Sequence, residues 1–271
     1  MNSLKLALAD GAVIARRNLI KIKRVPEVLV FVLISPIMFV LLFAYVFGSS
    51  IQVPGLEAGY REFLIAGIFA QTVIFGATFT GAGLAEDIQK GIIDRFRSLP
   101  MARSAVLVGR TASDIVYNVL SLLIMSLTGL LVGWRIRTSV LDAIAGFLLL
   151  LVFAYAFSWV MAWVGLLVPS PEVVNNASFI VIFPLTFIAN TFVPSDNLPT
   201  PLRVFAEWNP VSSVTLAARQ LFGNISPDLA APAPEAWSLQ HPVAYTLLWV
   251  VLILLVFVPL SVNQYKRSAS R

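Results

Sequence analysis

The sequence predicts an all-α, polytopic membrane protein with six transmembrane helices. Three further helices accompany them: an N-terminal amphipathic interface helix, a cytoplasmic helix between the second and third spans, and a short outer helix before the last span. Three observations predict this architecture. Hydrophobic residues fill 58% of the 271 positions and charged ones only 12%, against about 25% charged in soluble domains. Mean hydropathy is +0.86. Charge-free runs of about 20 residues, which as helices match a bilayer core of about 30 Å, recur along the chain.

Composition also excludes chemistry. With no cysteine and a single histidine, His241, the chain lacks the means for disulfides, thiolate zinc sites, cysteine nucleophiles or a multi-histidine metal site, and no metal is expected. The net charge of +5 lies beside apolar segments, so it points to anionic lipid headgroups and away from nucleic acid.

The six expected spans are Val28 to Phe47, Phe63 to Leu84, Ile115 to Val132, Ala143 to Val168, Ala177 to Val193 and Val243 to Val262. The third is entered through a polar turn, Arg110 to Asp114, and the fifth is interrupted by Pro184. The first run is too long, and begins too far into a charged leader, for a cleaved signal peptide. Three parts follow: residues 1–27 as a cytoplasmic interface helix, 28–262 as the membrane domain and 263–271 as a cytoplasmic tail. With both termini inside, fourteen Lys and Arg residues fall on the inner side and five on the outer, the asymmetry that sets orientation.

In residues 1–27, Leu4, Leu8, Ala12, Ala15, Leu19 and Ile22 make an apolar side, and basic residues crowd the second half. Such a helix buries one face at the headgroup boundary; a plain positive-inside flank has the same composition. The outer loop Pro194 to Pro242 holds eight of the sixteen prolines, yet carries helix punctuation. Asn209 suits a cap, Pro210 the first helical position and Gly223 the position past the end. Val211, Val214, Ala218 and Leu221 recur at helical spacing between them. A helix over Pro210 to Phe222 is expected, tucked against or dipping into the outer bilayer face, with a second near Pro201 to Trp208.

The segment with motif-like density is Glu86 to Arg103. It alternates acids (Glu86, Asp87, Asp94) and bases (Lys90, Arg95, Arg97, Arg103) with Ile92, Ile93, Phe96 and Leu99. Glu86 and Lys90 stand i, i+4 in the favourable order, and Pro100 ends the helical stretch. A short, stiff, charged helix with an apolar ridge suits docking into a groove of a soluble partner. A solvated loop with positive-inside charges fits the same residues.

At this point the sequence resembles a family. Glu86 to Arg103, an acid followed by Lys-Gly, then Asp-Arg and a Leu-Pro close, is similar to the signature of ABC-2-type transporter permeases. Phe192-Val-Pro, Leu198-Pro, Leu202-Arg, Glu207-Trp-Asn-Pro-Val-Ser and Ala218-Arg-Gln-Leu-Phe222 resemble that family's outer segment. With the six-span layout, the pattern is most similar to the daunorubicin/doxorubicin-resistance type of export permease. The resemblance implies a bacterial cell-membrane protein that dimerises, as a homo- or heterodimer, and binds two copies of a separate ABC ATPase subunit. It also implies a coupling helix at Glu86, Asp87, Gly91, Asp94, Arg95, Phe96, Arg97, Leu99 and Pro100, with the N-terminal helix packed nearby. The chain has no G-x-x-x-x-G-K-[ST] loop, so ATP and Mg are expected on the partner, with no cofactor bound here.

The resemblance further implies that spans two and five line the path. Gln71, Phe75 and Phe79 share a face of span two, and Phe179, Phe183 and Phe187 share one of span five. Such stripes can form an apolar slot for a planar amphipathic molecule; lipid-facing or packing phenylalanine is the plainer alternative. Gly129 and Gly133, with Gly76, Gly81 and Gly83, read as close-packing positions. A proton-driven exporter needs an acid deep in the membrane, and none of the six runs holds one; Asp114, at the inner end of span three, is expected to snorkel or pair. An intramembrane enzyme lacks its motifs: Asp10-Gly11 to Arg16 only faintly resembles the start of a CDP-alcohol transferase motif. A polysaccharide or glycolipid exporter of the same superfamily is the closer alternative, and a non-transporting scaffold has no need of the dense charged loop.

Overall fold

The computed structural model describes residues 3–24, 34, 36–47, 60–98, 101–102, 104–192, 198–225 and 236–267. Among these residues the regular elements are all helical. In chain order they begin with α1 (Ser3–Arg24), α2 (Pro36–Val46), α3 (Tyr60–Gly76), α4 (Thr78–Gln89) and α5 (Ile92–Arg97). There follow α6 (Ala105–Val132), α7 (Val140–Leu167), α8 (Pro171–Phe187), α9 (Thr200–Trp208), α10 (Pro210–Phe222), α11 (Trp237–Gln240) and α12 (Pro242–Arg267).

Among the described residues, four stretches are long and apolar enough to cross a bilayer: Tyr60–Gln89, which joins α3 and α4, then α6, α7 and α12. The helices α2 and α8 are apolar but shorter. The expected six crossings therefore meet four long helices and two short ones. Residues 28–33 and 35 of the first expected run lie outside the described residues, as do parts of the 1–27 and 263–271 boundaries.

Local chemistry explains the shifted boundaries. The expected polar turn Arg110 to Asp114 is instead part of α6, because its hydroxyls bond back into the helix. Thr111 donates to the Leu107 carbonyl at 3.0 Å and Ser113 to that of Arg110 at 2.7 Å. α8 starts at Pro171, before the expected Ala177, because the Ser170 hydroxyl accepts the Val173 N–H and proline fits the first turn. It runs through Pro184 and stops at Phe187.

α3 is the centre of the molecule, buried along nearly its whole length against α6, α7 and α10. Glycines allow backbones to touch around it. A Cβ on Gly165 of α7 would run into the Gly81 backbone of α4, and one on Gly81 would lie 2.6 Å from the Met161 carbonyl oxygen. Gly76 faces the Asn118 side chain in the same way. Gly129 packs on Ile65 of α3, whereas Gly133 ends a helix. With φ +105° it closes α6 in the left-handed region.

α10 matches its punctuation, with the Asn209 carboxamide oxygen accepting the Val211 N–H at 2.9 Å, Pro210 next and Gly223 at φ +71°. Its burial comes from protein, however: it packs on α3, α7 and α12. The buried Arg219, placed by its charge on the outer side of the sequence count, lies inside the fold. Its guanidinium donates to the carbonyls of Phe63 and Thr191, each at 2.9 Å, and lies 3.4 Å over the Phe63 ring. Burial pushes its pKa down to about 9, opposed by Tyr60.

The α4–α7 contact predicts a stability effect. Gly165→Ala should destabilise the purified chain by about 1–3 kcal/mol, the usual cost of overpacking, read as a lowered thermal unfolding midpoint. A midpoint equal to wild type would contradict backbone contact at this crossing.

Candidate functional site

The Glu86–Arg103 segment folds as a ledge built from two helices, and the expected single short helix is broken. Glu86 and Asp87 belong to the last turn of α4. Lys90 and Gly91 form the corner, their N–H groups returning to the carbonyls of Glu86 at 3.0 Å and Ile88 at 2.9 Å. Gly91 has φ +63° and ψ 18°, a conformation costing other residues about 1–2 kcal/mol. A Cβ there would meet nothing within 4 Å, so the requirement for glycine is conformational and not steric. α5 then starts at Ile92, with Asp94 in its first turn, where the helix dipole favours an acid.

Each side chain of the ledge has a distinct setting. Ile93 is 2% exposed and inserts among Leu84, Val106, Leu107, Trp159 and Tyr265, pinning α5 to the domain. Asp87 is buried and receives the Arg17 guanidinium of α1 at 3.1 and 3.4 Å. The same guanidinium lies 5.2 Å from the Phe96 ring centroid. Glu86 accepts from Lys90, which raises the lysine's pKa above its ordinary value. Asp94 and Arg95 are exposed on the outer side of α5. The Arg97 side chain, Leu99 and Pro100 lie outside the described residues, so the expected helix end at Pro100 does too.

α1 therefore does more than border a membrane. Among the described side chains of α1, the buried positions are Gly11, Ile14 and Asn18, and the helix packs on α6. Ala12, on the side expected to be buried, is exposed. Gly11 lets the two backbones meet at Gly109, whose Cβ would lie 2.5 Å from the Gly11 carbonyl oxygen. Asn18 donates to Ser113 at 3.2 Å, and Asp10 accepts the Ala102 N–H at 2.9 Å. Asp10 and Arg17 are the ledge residues that sequence reasoning missed, and Ile93, one residue of the expected apolar ridge, is its anchor. Arg17 had a signal only as one basic residue among several.

The aromatic residues form one ladder. Phe75 meets Phe179 at 6.2 Å between ring centroids, and Phe179–Phe183, Phe183–Phe187 and Phe187–Phe192 follow at 5.0, 4.0 and 4.7 Å. Phe43 of α2 continues it, 4.7 Å from Phe192. Phe79 does not join: it packs on Tyr117 of α6 at 5.2 Å. Gln71 is buried, whereas Phe179 is 55% exposed. Phe43 was not singled out from the sequence, though Phe39 and Phe43 share an i, i+4 spacing, and Phe192 was named only as part of the Phe192-Val-Pro segment, not as an aromatic partner. At the outer end, the Asn209 amide donates to the Leu185 carbonyl at 2.7 Å, joining α10 to the foot of the ladder.

The chain matches the ABC-2 type transporter family over residues 11–222. It is 34% identical over 205 residues to the daunorubicin resistance ABC transporter permease protein DrrB1 of Streptomyces coeruleorubidus, covering 76% of this chain and 72% of that protein. It is 23% identical over 270 residues to the probable doxorubicin resistance ABC transporter permease protein DrrC of Mycobacterium tuberculosis, covering 99% and 92%. A putative transport permease, ycf38 of Cyanophora paradoxa, is 24% identical over 218 residues, covering 79% and 74%.

The Arg17–Asp87 pair gives a prediction of its own. Arg17→Ala leaves a buried carboxylate without its cation, while Arg17 itself is 38% exposed in its side chain, so a discounted cost of about 1–2 kcal/mol is expected. Adding Asp87→Asn should recover part of it. A double-mutant cycle on thermal unfolding in detergent measures the coupling, and strict additivity would show that the pair contributes nothing.

Proposed function

This chain belongs to the ABC-2 type transporter family, and we infer that it is the membrane permease subunit of an ATP-driven exporter. The cargo is a hydrophobic or amphipathic small molecule, a drug or lipid, and a separate ABC subunit hydrolyses the ATP. Two permease copies and two ATPase copies make the working assembly. It lies in the bacterial cell membrane with both termini inside, α2 and α8 completing six crossings as its two short spans.

The observation that carries this reading is the ledge. α5 presents exposed Asp94 and Arg95 on a helix whose other side is fixed by Ile93 and by Arg17. An ATPase subunit that grips this face moves α4 directly, and α4 is packed on α7 and α8. Cargo crosses when the two states of the assembly bind it with different affinity, because a ligand indifferent to the states shifts nothing. The phenylalanine ladder supports an apolar, stackable cargo over a glycan. Two relatives, named for daunorubicin and doxorubicin resistance, agree with that choice.

Two sets of substitutions test the reading. Gly91→Pro removes the N–H bonded to Ile88 and forbids the φ of +63°; it should abolish cargo-stimulated ATP hydrolysis while the chain still inserts in the membrane. Asp94→Arg with Arg95→Glu alters only exposed groups and should reduce co-purification with the ATPase encoded beside the chain by about tenfold, the equivalent of 1.4 kcal/mol. Unchanged capture and unchanged stimulation in these variants would place the docking surface elsewhere.

A further inference from the structure

A second polar concentration lies inside the helix bundle, along the interface of α6 with α3 and α4. Gly129 of α6 abuts Ile65, Asn118 abuts Gly76, and Arg110 lies against Gly83. The helices therefore run antiparallel, and this register sets Thr80 level with Asp114 and Thr72 level with Ser121 and Leu122. On α6, Arg110, Asp114, Asn118 and Ser121 follow one another at i, i+4, i+8 and i+11, a single face.

This seam is short of partners. Two of its hydroxyls, Tyr117 Oη and Ser121 Oγ, stand beside each other as hydrogen-bond partners. Five further buried side-chain atoms have none among the described residues: Arg110 Nε, Asp114 Oδ2 and Asn118 Oδ1 on α6, and the Thr72 and Thr80 hydroxyls opposite. Asp114 is 6% exposed and Asn118 1%, so lipid and bulk water do not reach them. Asp114 neither snorkels nor forms an ion pair as expected; the Arg110 guanidinium one turn away donates to the Phe79 carbonyl at 2.8 Å. Leaving such an atom buried and unpaired is costly, and enclosed water is the partner that polar clusters of this kind ordinarily hold.

We propose that the α6 seam is a hydrated proton-binding site, in which a proton from the aqueous phase is relayed through an enclosed water held by Asn118 and Thr80 and comes to rest on Asp114 Oδ2, the water regaining its proton from the aqueous side and staying neutral. A metal cation is disfavoured there by the Arg110 guanidinium one helical turn away, whereas protonation removes a buried charge without adding one. The other ionisable group beside Asp114 is Tyr117. On α1, Asp10 accepts the Ala102 N–H and Arg16 and Arg24 are exposed, while the Lys5, Lys21 and Lys23 side chains lie outside the described residues. Arg61 and Glu62 lie at the far end of α3, and Asp142 opens α7. Glu86 and Asp87 follow Gly83 on α4, and Arg17 of α1 is joined to Asp87. This site is separate from the docking face, so it stands or falls independently of the exporter reading.

Infrared difference spectroscopy of the full-length chain in lipid nanodiscs, without ATPase or cargo, tests the proposal. Lowering the pH should raise a carboxylic-acid carbonyl band that shifts in D2O and is lost in Asp114→Asn. Tyr117→Phe, in a chain that keeps Asp114, should move the midpoint of that band, so a poorly folding Asp114→Asn does not remove the test. A band that survives Asp114→Asn, an immobile midpoint in Tyr117→Phe, or no band at any pH overturns the assignment. A band governed by sodium at constant pH identifies a metal-cation site and overturns it equally.

Discussion

The backbone contact between α4 and α7 is the constraint on which the ledge end of the molecule rests. Side chains of ordinary size keep helix axes about 8–10 Å apart; Gly81 and Gly165 allow the chains themselves to touch. α4 is thereby held rigidly beside a long apolar helix, and its last turn, with Glu86 and Asp87, projects from a fixed base. The ledge inherits that rigidity. The corner at Gly91 then sets the direction of α5, and Ile93 anchors it.

The ledge is composite. Asp87 comes from α4, Phe96 from α5, Arg17 and Asp10 from α1, and the Ala102 N–H from the approach to α6. One guanidinium links three of these elements, acting on a carboxylate and on an aromatic face at once, as a planar cation can and a lysine cannot. A force on α5 is in this way shared between the membrane helices and α1, and α1 transmits it to α6 through Gly11 and Asn18.

Features determined within one turn of chain were legible in the sequence. Asn209, Pro210 and Gly223 marked α10 because capping and left-handed closure depend on residue type alone. The long apolar runs marked α6, α7 and α12 for the same kind of reason. What escaped depends on partners. The buried side of α1 follows from Gly11 meeting Gly109, not from its count of leucines. Gly133 resembled half of a packing pair until its φ of +105° showed a helix end. Phe79 left the aromatic stripe because Tyr117 of α6 takes up its ring, a partner that spacing along one helix does not reveal. Asp114 looked like an interfacial acid because the hydroxyls of Thr111 and Ser113, bonded back into α6, disguised the true start of the helix.

Arg219 carries a consequence for how this chain can drift under mutation. Two oxygens from distant segments converge on separate nitrogens of one flat group, and a ring lies beneath it. An ammonium has no plane to lay on that ring and no fork to divide between the two oxygens. A lysine at position 219 would keep the charge but lose the fork and the stacking, so the exchange that looks conservative on paper is not so here.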